Sequence, residues 1–187
     1  MKFLLKSALL FLMFISFSSA YAQSGAKFML AGVSAQKSYL DLPADNFTGW
    51  EMRLDARLGA RAWYFAPSLA YQNTSLLGGD SINPFSEGPR LHTLKLPVAL
   101  GLKFKTAPFS RVFAKAGLIG NYVLVIDENE VFNFEEIVDV WASAFVSVGY
   151  DLNKFSIDYR FERSLADNFR HVEGVTGFHV IGVGINF

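Results

Sequence analysis

The chain has 187 residues, with 17 basic and 17 acidic side chains, 16% aromatics and no cysteine. That length fits one domain of ordinary size, and a neutral net charge is the wrong footprint for a nucleic-acid partner. The absent cysteines exclude a disulfide framework, a thiol nucleophile and a cysteine metal cluster, and a chain this apolar and aromatic is not a disordered one.

Residues 1–22 read as a cleaved secretory signal peptide. Lys2 and Lys6 give a positive start, Ala8 to Phe17 is apolar apart from Ser16, and Ala20-Tyr21-Ala22 has the small-residue form of a cleavage site. The rival reading is a membrane helix, which needs roughly 20 apolar residues and finds too few here. No cysteine follows the site to carry a lipid. Residues 23–187 are expected to form one domain.

Along that domain the dominant signal is a two-residue period. The first candidate strand is 27–37. In 50–58, Trp50, Met52, Leu54, Ala56 and Leu58 alternate with Glu51, Arg53, Asp55 and Arg57. A strand sends these sets to opposite faces, whereas a helix would spread the charges all round. Segment 61–73 follows less cleanly. In 91–104, Leu94, Leu96, Val98, Leu100, Leu102 and Phe104 oppose Thr93, Lys95, Pro97, Ala99, Gly101 and Lys103. Segment 111–124 is ambiguous, because Phe113 and Ile119 share a face with Arg111 and Lys115. Segment 140–150 comes next. In 155–162, Phe155, Ile157, Tyr159 and Phe161 oppose Ser156, Asp158, Arg160 and Glu162. The last candidate is 177–187, where Ile181, Val183, Ile185 and Phe187 alternate on one side.

The gaps between the eight segments alternate without exception. Those at 38–49, 74–90, 125–139 and 163–176 are long; those at 59–60, 105–110 and 151–154 are short. An eight-stranded antiparallel up-and-down transmembrane β-barrel has this form, with short periplasmic turns and longer outer loops. Period two alone does not separate it from a soluble barrel, whose faces are reversed. The signal peptide, the aromatics near strand ends (Trp50, Trp63, Tyr71, Tyr122, Tyr150, Phe155) and the aromatic final residue favour the membrane form. Trp141 also lies at a strand end, but on the opposite face by the alternation.

The signal peptide, the eight-strand pattern and the aromatic end of an amphipathic last strand resemble outer-membrane β-barrel proteins. More narrowly, ARAWYFAPSLAYQ (60–72), HTLKLPVALGLKF (92–104), VFAKAGLIGNY (112–122) and FSIDYRFERSLAD (155–167) look like porin-family barrels of PorT type. The resemblance implies an outer-membrane location, membrane lipid as surroundings, and Phe187 as the assembly signal read by the barrel assembly machinery. It implies no enzymatic activity, no cofactor and a monomer. A loop partner is left unidentified.

On this facing Glu51, Arg53, Asp55, Arg57, Lys95, Lys103, Arg111, Lys115, Asp158, Arg160 and Glu162 point inward, four acids against seven bases. Eight strands leave just enough room for side chains to fill the interior, so a packed, ion-paired plug is the first expectation. A narrow anion-preferring path, drawn from the surplus of bases, is the second. No metal is expected, since His92, His171 and His179 lack ligand spacing. No G-x-S-x-G or glycine-rich phosphate loop is present. The acidic stretch Asp127-Glu128-Asn129-Glu130, followed by Glu135, Glu136 and Asp139, reads as a solvated outer loop rather than a divalent-cation site. Gly182 and Gly184 read as strand glycines where another group approaches closely. The alternative from a different class is a soluble secreted lipocalin-like barrel binding an apolar ligand, with Glu51, Arg53, Asp55 and Arg57 meeting water.

Overall fold

The computed structural model describes residues 27–30, 35–39, 47–59, 62–75, 89–128, 137–167 and 175–186. The expected signal peptide, His171 and Phe187 lie outside the described residues.

The strands are β1 (Lys27–Leu30), β2 (Ala35–Tyr39), β3 (Phe47–Arg57), β4 (Trp63–Ser75), β5 (Arg90–Ala107), β6 (Ser110–Ile126), β7 (Val140–Leu152), β8 (Phe155–Ser164) and β9 (Gly177–Asn186). They match the expected segments except at the start, where 27–37 is two strand pieces. From β3 to β9 every consecutive pair is antiparallel. β1 and β2 each pair with β3 on one side and β9 on the other, so the two ends of the sheet meet. The fold is an all-β antiparallel up-and-down barrel. The turn from β7 to β8 is tight, and Asn153 takes the left-handed conformation there with φ 54°, which asparagine tolerates better than most residues.

Burial alternates as the sequence does. On β5, Thr93, Lys95, Pro97, Ala99 and Gly101 are buried, while Leu96, Val98 and Leu100 are exposed. Met52, Leu54, Leu118, Val146, Ile157, Ile181 and Val183 are likewise exposed, so the apolar face is the outer one.

The ambiguous segment resolves against a wholly polar interior. Phe113 and Ile119 are buried inside, in one cluster with Tyr64, Ala66, Ala99 and Phe145. The rings fit because the facing residues are small: a Cβ on Gly101 would lie 2.2 Å from Tyr64 Cζ, and one on Gly149 2.3 Å from Phe113 Cζ. A second apolar cluster sits towards the long-connection end. There Ile137, from the segment after β6, packs on Val123 and the inward-facing Trp141.

Candidate functional site

Among the described residues the interior holds ten acidic or basic side chains, each exposing 6% or less of its surface: Glu51, Arg53, Asp55, Arg57, Lys95, Lys115, Asp151, Asp158, Arg160 and Glu162. β3 supplies four of them and β8 three, because alternation along each strand sends every second residue inward. Five are acids and five are bases.

The ten divide into three layers along the barrel. Nearest the short turns, Arg57 Nη1 donates to Asp151 Oδ2 at 2.5 Å, with its guanidinium 4.2 Å from the Phe113 ring centroid. Ser156 Oγ donates to the other oxygen of Asp151 at 2.7 Å. In the middle layer Arg53 Nη2 donates to both oxygens of Asp158, at 2.7 and 2.9 Å, and Lys115 Nζ donates to Asp55 Oδ2 at 2.8 Å. Arg53 Nε also lies 3.2 Å from Asp55 Oδ1. In the third layer Lys95 Nζ donates to Glu162 Oε2 at 2.7 Å and Arg160 Nη2 to Glu51 Oε2 at 2.5 Å. Arg53 Nη1 approaches Glu51 Oε1 at 3.7 Å and links the last two layers. Each layer is neutral by itself, which is what low-dielectric burial demands of charges that stay ionised.

This arrangement changes the expected charge count. Asp151 was expected in a turn, yet β7 continues to Leu152 and carries it inward, where Arg57 engages it. Lys103 and Arg111 fall outside the network. Lys103 Nζ donates to the carbonyl of Gly59 at 2.9 Å near the short-turn end. Arg111 keeps the inward parity of β6 but is only half-buried, one residue inside the strand's end, and the Asp151 beside it in register is already held by Arg57. The surplus of bases therefore disappears, and with it the ground for anion preference.

Gly182 explains how the middle layer fits. A Cβ there would stand 2.7 Å from Asp158 Oδ1. Asp158 is short and pinned by Arg53, so it has little room to retreat. Gly182→Ala is expected to destabilise the barrel by about 1–3 kcal/mol, measured as a lower urea midpoint for unfolding, while Gly177→Ala, whose Cβ would meet nothing closer than 3.7 Å, serves as the quiet control.

The histidines lie elsewhere. On the outer face, His179 contacts the Tyr159 hydroxyl at 2.5 Å and the Phe161 ring at 5.0 Å between centroids. His92 bonds to Tyr71 and approaches Asp127 Oδ1 at 3.3 Å near the long-connection end. Asp127 also accepts from the backbone N–H of Arg90 at 3.1 Å, tying the start of the acidic connection to β5. Most of the expected end aromatics are exposed, namely Trp63, Tyr122, Tyr150 and Phe155, with Trp50 and Tyr71 half-buried against each other.

The crystal structure of Neisserial surface protein A (NspA) is similar to this chain, with a TM-score of 0.59. The likeness covers 87% of this chain and 99% of NspA at 16% identity, and it establishes a shared fold. Two further solved barrels are more distant. Ail, the attachment invasion locus protein of Yersinia pestis, in complex with the heparin analogue sucrose octasulfate, gives a TM-score of 0.47 at 15% identity, over 88% of this chain and 99% of that one. The outer membrane protein OprG of Pseudomonas aeruginosa gives 0.45 at 11% identity, over 88% and 96%. No family model and no curated protein matches the sequence.

Proposed function

We propose that the chain is a non-enzymatic integral outer-membrane β-barrel with an occluded interior, serving the envelope as a structural element and presenting its long connections outside the cell. The observation that carries this is the reversal of faces: ten charges in neutral layers inside, and an exposed apolar belt outside. β1 and β2 together count as one stave, giving eight. An even number puts both ends of the barrel domain on the periplasmic side with the short turns. Residues 1–22 act as the cleaved signal peptide, Phe187 as the assembly signal, and the barrel works as a monomer. The four segments quoted above support placing it among porin-family barrels of PorT type, but the packed interior favours a structural role over passage of solutes.

The lipocalin-like alternative requires Glu51, Arg53, Asp55 and Arg57 to face water, and all four are buried. It would also leave Leu96, Val98 and Leu100 bare to solvent.

Two measurements test the proposal together. The outer-membrane fraction is expected to give a band on SDS gels that migrates fast unheated and slows on boiling. The same folded protein in planar bilayers is expected to show no discrete conductance steps. Steps would overturn the occluded interior; recovery from the soluble periplasm with a single mobility would overturn the membrane barrel.

A further inference from the structure

The charges outside the interior are sorted by end. Every carboxylate beyond the ten-member network falls, by sequence, in one of the four long connections. Among the described residues that end carries Asp127, Glu128, Asp139 and Asp167 beside Arg90 and Arg163. Among the described residues the short-turn end carries Lys103, Lys105, Arg111 and Lys154, and its one side-chain carboxylate, Asp151, is buried and held by Arg57.

The basic residues at this rim are brought together by the turns. Lys105 and Arg111 are cross-strand partners, and Arg111 is in register with Asp151 on the neighbouring hairpin. Asn153 N–H donates to Phe109 O at 2.7 Å, and Asn186 N–H donates to Lys154 O at 2.6 Å, so the hairpin ends and the last strand are tied side by side. Lys105 and Lys154 are exposed, Arg111 is half-exposed, and none of the three takes part in an ion pair with a described residue. Large aromatics stand among them: Trp63 is 65% exposed, Phe104 56%, Phe109 74% and Phe155 68%.

We propose that this rim binds the phosphate groups of anionic phospholipids in the periplasmic leaflet, an inference that rests on the membrane-barrel reading. Aromatic rings settle at headgroup depth; Lys105 and Arg111 keep the inward parity but stand at the strand ends, beyond the charged layers, where long flexible side chains carry their charged heads over the rim to the phosphates. The aromatics occur on β4, β5–β6 and β8 rather than on one patch, which fits lipid surrounding the barrel better than a single docked protein. Among the described residues of the far end the carboxylates outnumber the bases, so the preference is one-sided.

The test uses the full chain refolded into vesicles of phosphatidylcholine mixed with phosphatidylglycerol, scored for the heat-modifiable band, then extracted in mild detergent for native mass spectrometry of retained lipid. The wild type is expected to retain phosphatidylglycerol over phosphatidylcholine. Lys105→Gln/Arg111→Gln/Lys154→Gln is expected to lose that preference, by about five-fold per base at low salt, while Lys105→Arg/Lys154→Arg keeps it. Raising salt is expected to weaken it. Equal retention of both lipids by a heat-modifiable wild type would overturn the proposal and leave the barrel standing, as would an unchanged preference in the folded triple variant. Absence of the heat-modifiable band in every vesicle would overturn the barrel reading, and the rim proposal with it.

Discussion

Arg53→Leu is expected to cost roughly 3–5 kcal/mol of folding free energy. Arg53 donates to both oxygens of Asp158 and also faces Asp55 and Glu51. Without it the middle layer keeps two carboxylates against the single ammonium of Lys115, in a place where water cannot solvate the excess. Removing the partner as well leaves Asp55 and Lys115, a neutral layer again. Arg53→Leu/Asp158→Leu is therefore expected to recover most of the loss, since replacing a whole buried pair with apolar side chains is often close to neutral. Urea titrations of the vesicle-folded protein measure both. A single variant as stable as the wild type would mean that the interior admits enough water to solvate a lone carboxylate, and the occluded interior would have to be abandoned.

Val98→Arg probes the opposite face. Val98 is 47% exposed near the middle of β5, in register with Leu118. In a bilayer an arginine at that depth costs roughly 2–4 kcal/mol, falling to about 0–1 kcal/mol near the interface. Phe104→Arg, on the same face but near the short-turn end, is the matched control. A steep difference between the two, read from unfolding midpoints in vesicles, is the signature of lipid contact. Equal, small effects at both positions would mean that this face meets water.

Much of the architecture was legible because a half-buried strand writes its two environments into alternate residues. The cleanest stretch, 50–58, placed Glu51, Arg53, Asp55 and Arg57 on one face, and that face is inside. What could not be read had specific causes. A rule that separates polar from apolar assigns Phe113, Ile119 and Trp141 to the wrong environment, because this interior holds rings and methyls next to paired charges. Asp151 was hidden by its neighbours: Asp-Leu-Asn-Lys reads as a turn, although carrying the alternation of Ser147 and Gly149 one step further would have brought it inside. Arg111 shows the converse, since parity says which way a residue points but not how far along the barrel the packed interior extends. The partners across the barrel, such as Arg53 with Asp158, depend on register and on the small residue at Gly182, neither of which a single strand announces.

The meeting of the sheet's two ends bears on the order of events during folding. All pairings from β3 to β9 join neighbours along the chain and can form one hairpin at a time. The junction does not: Met29 pairs with Asn186, and Lys37 with His179, residues from opposite ends of the molecule. Until the last strand arrives, the sheet has two bare edges with unpaired amides and carbonyls, the arrangement most prone to stray association. Long-range closures of this kind are also slow. Ring closure can therefore be completed only after the last strand has formed, and until then both edges stay open.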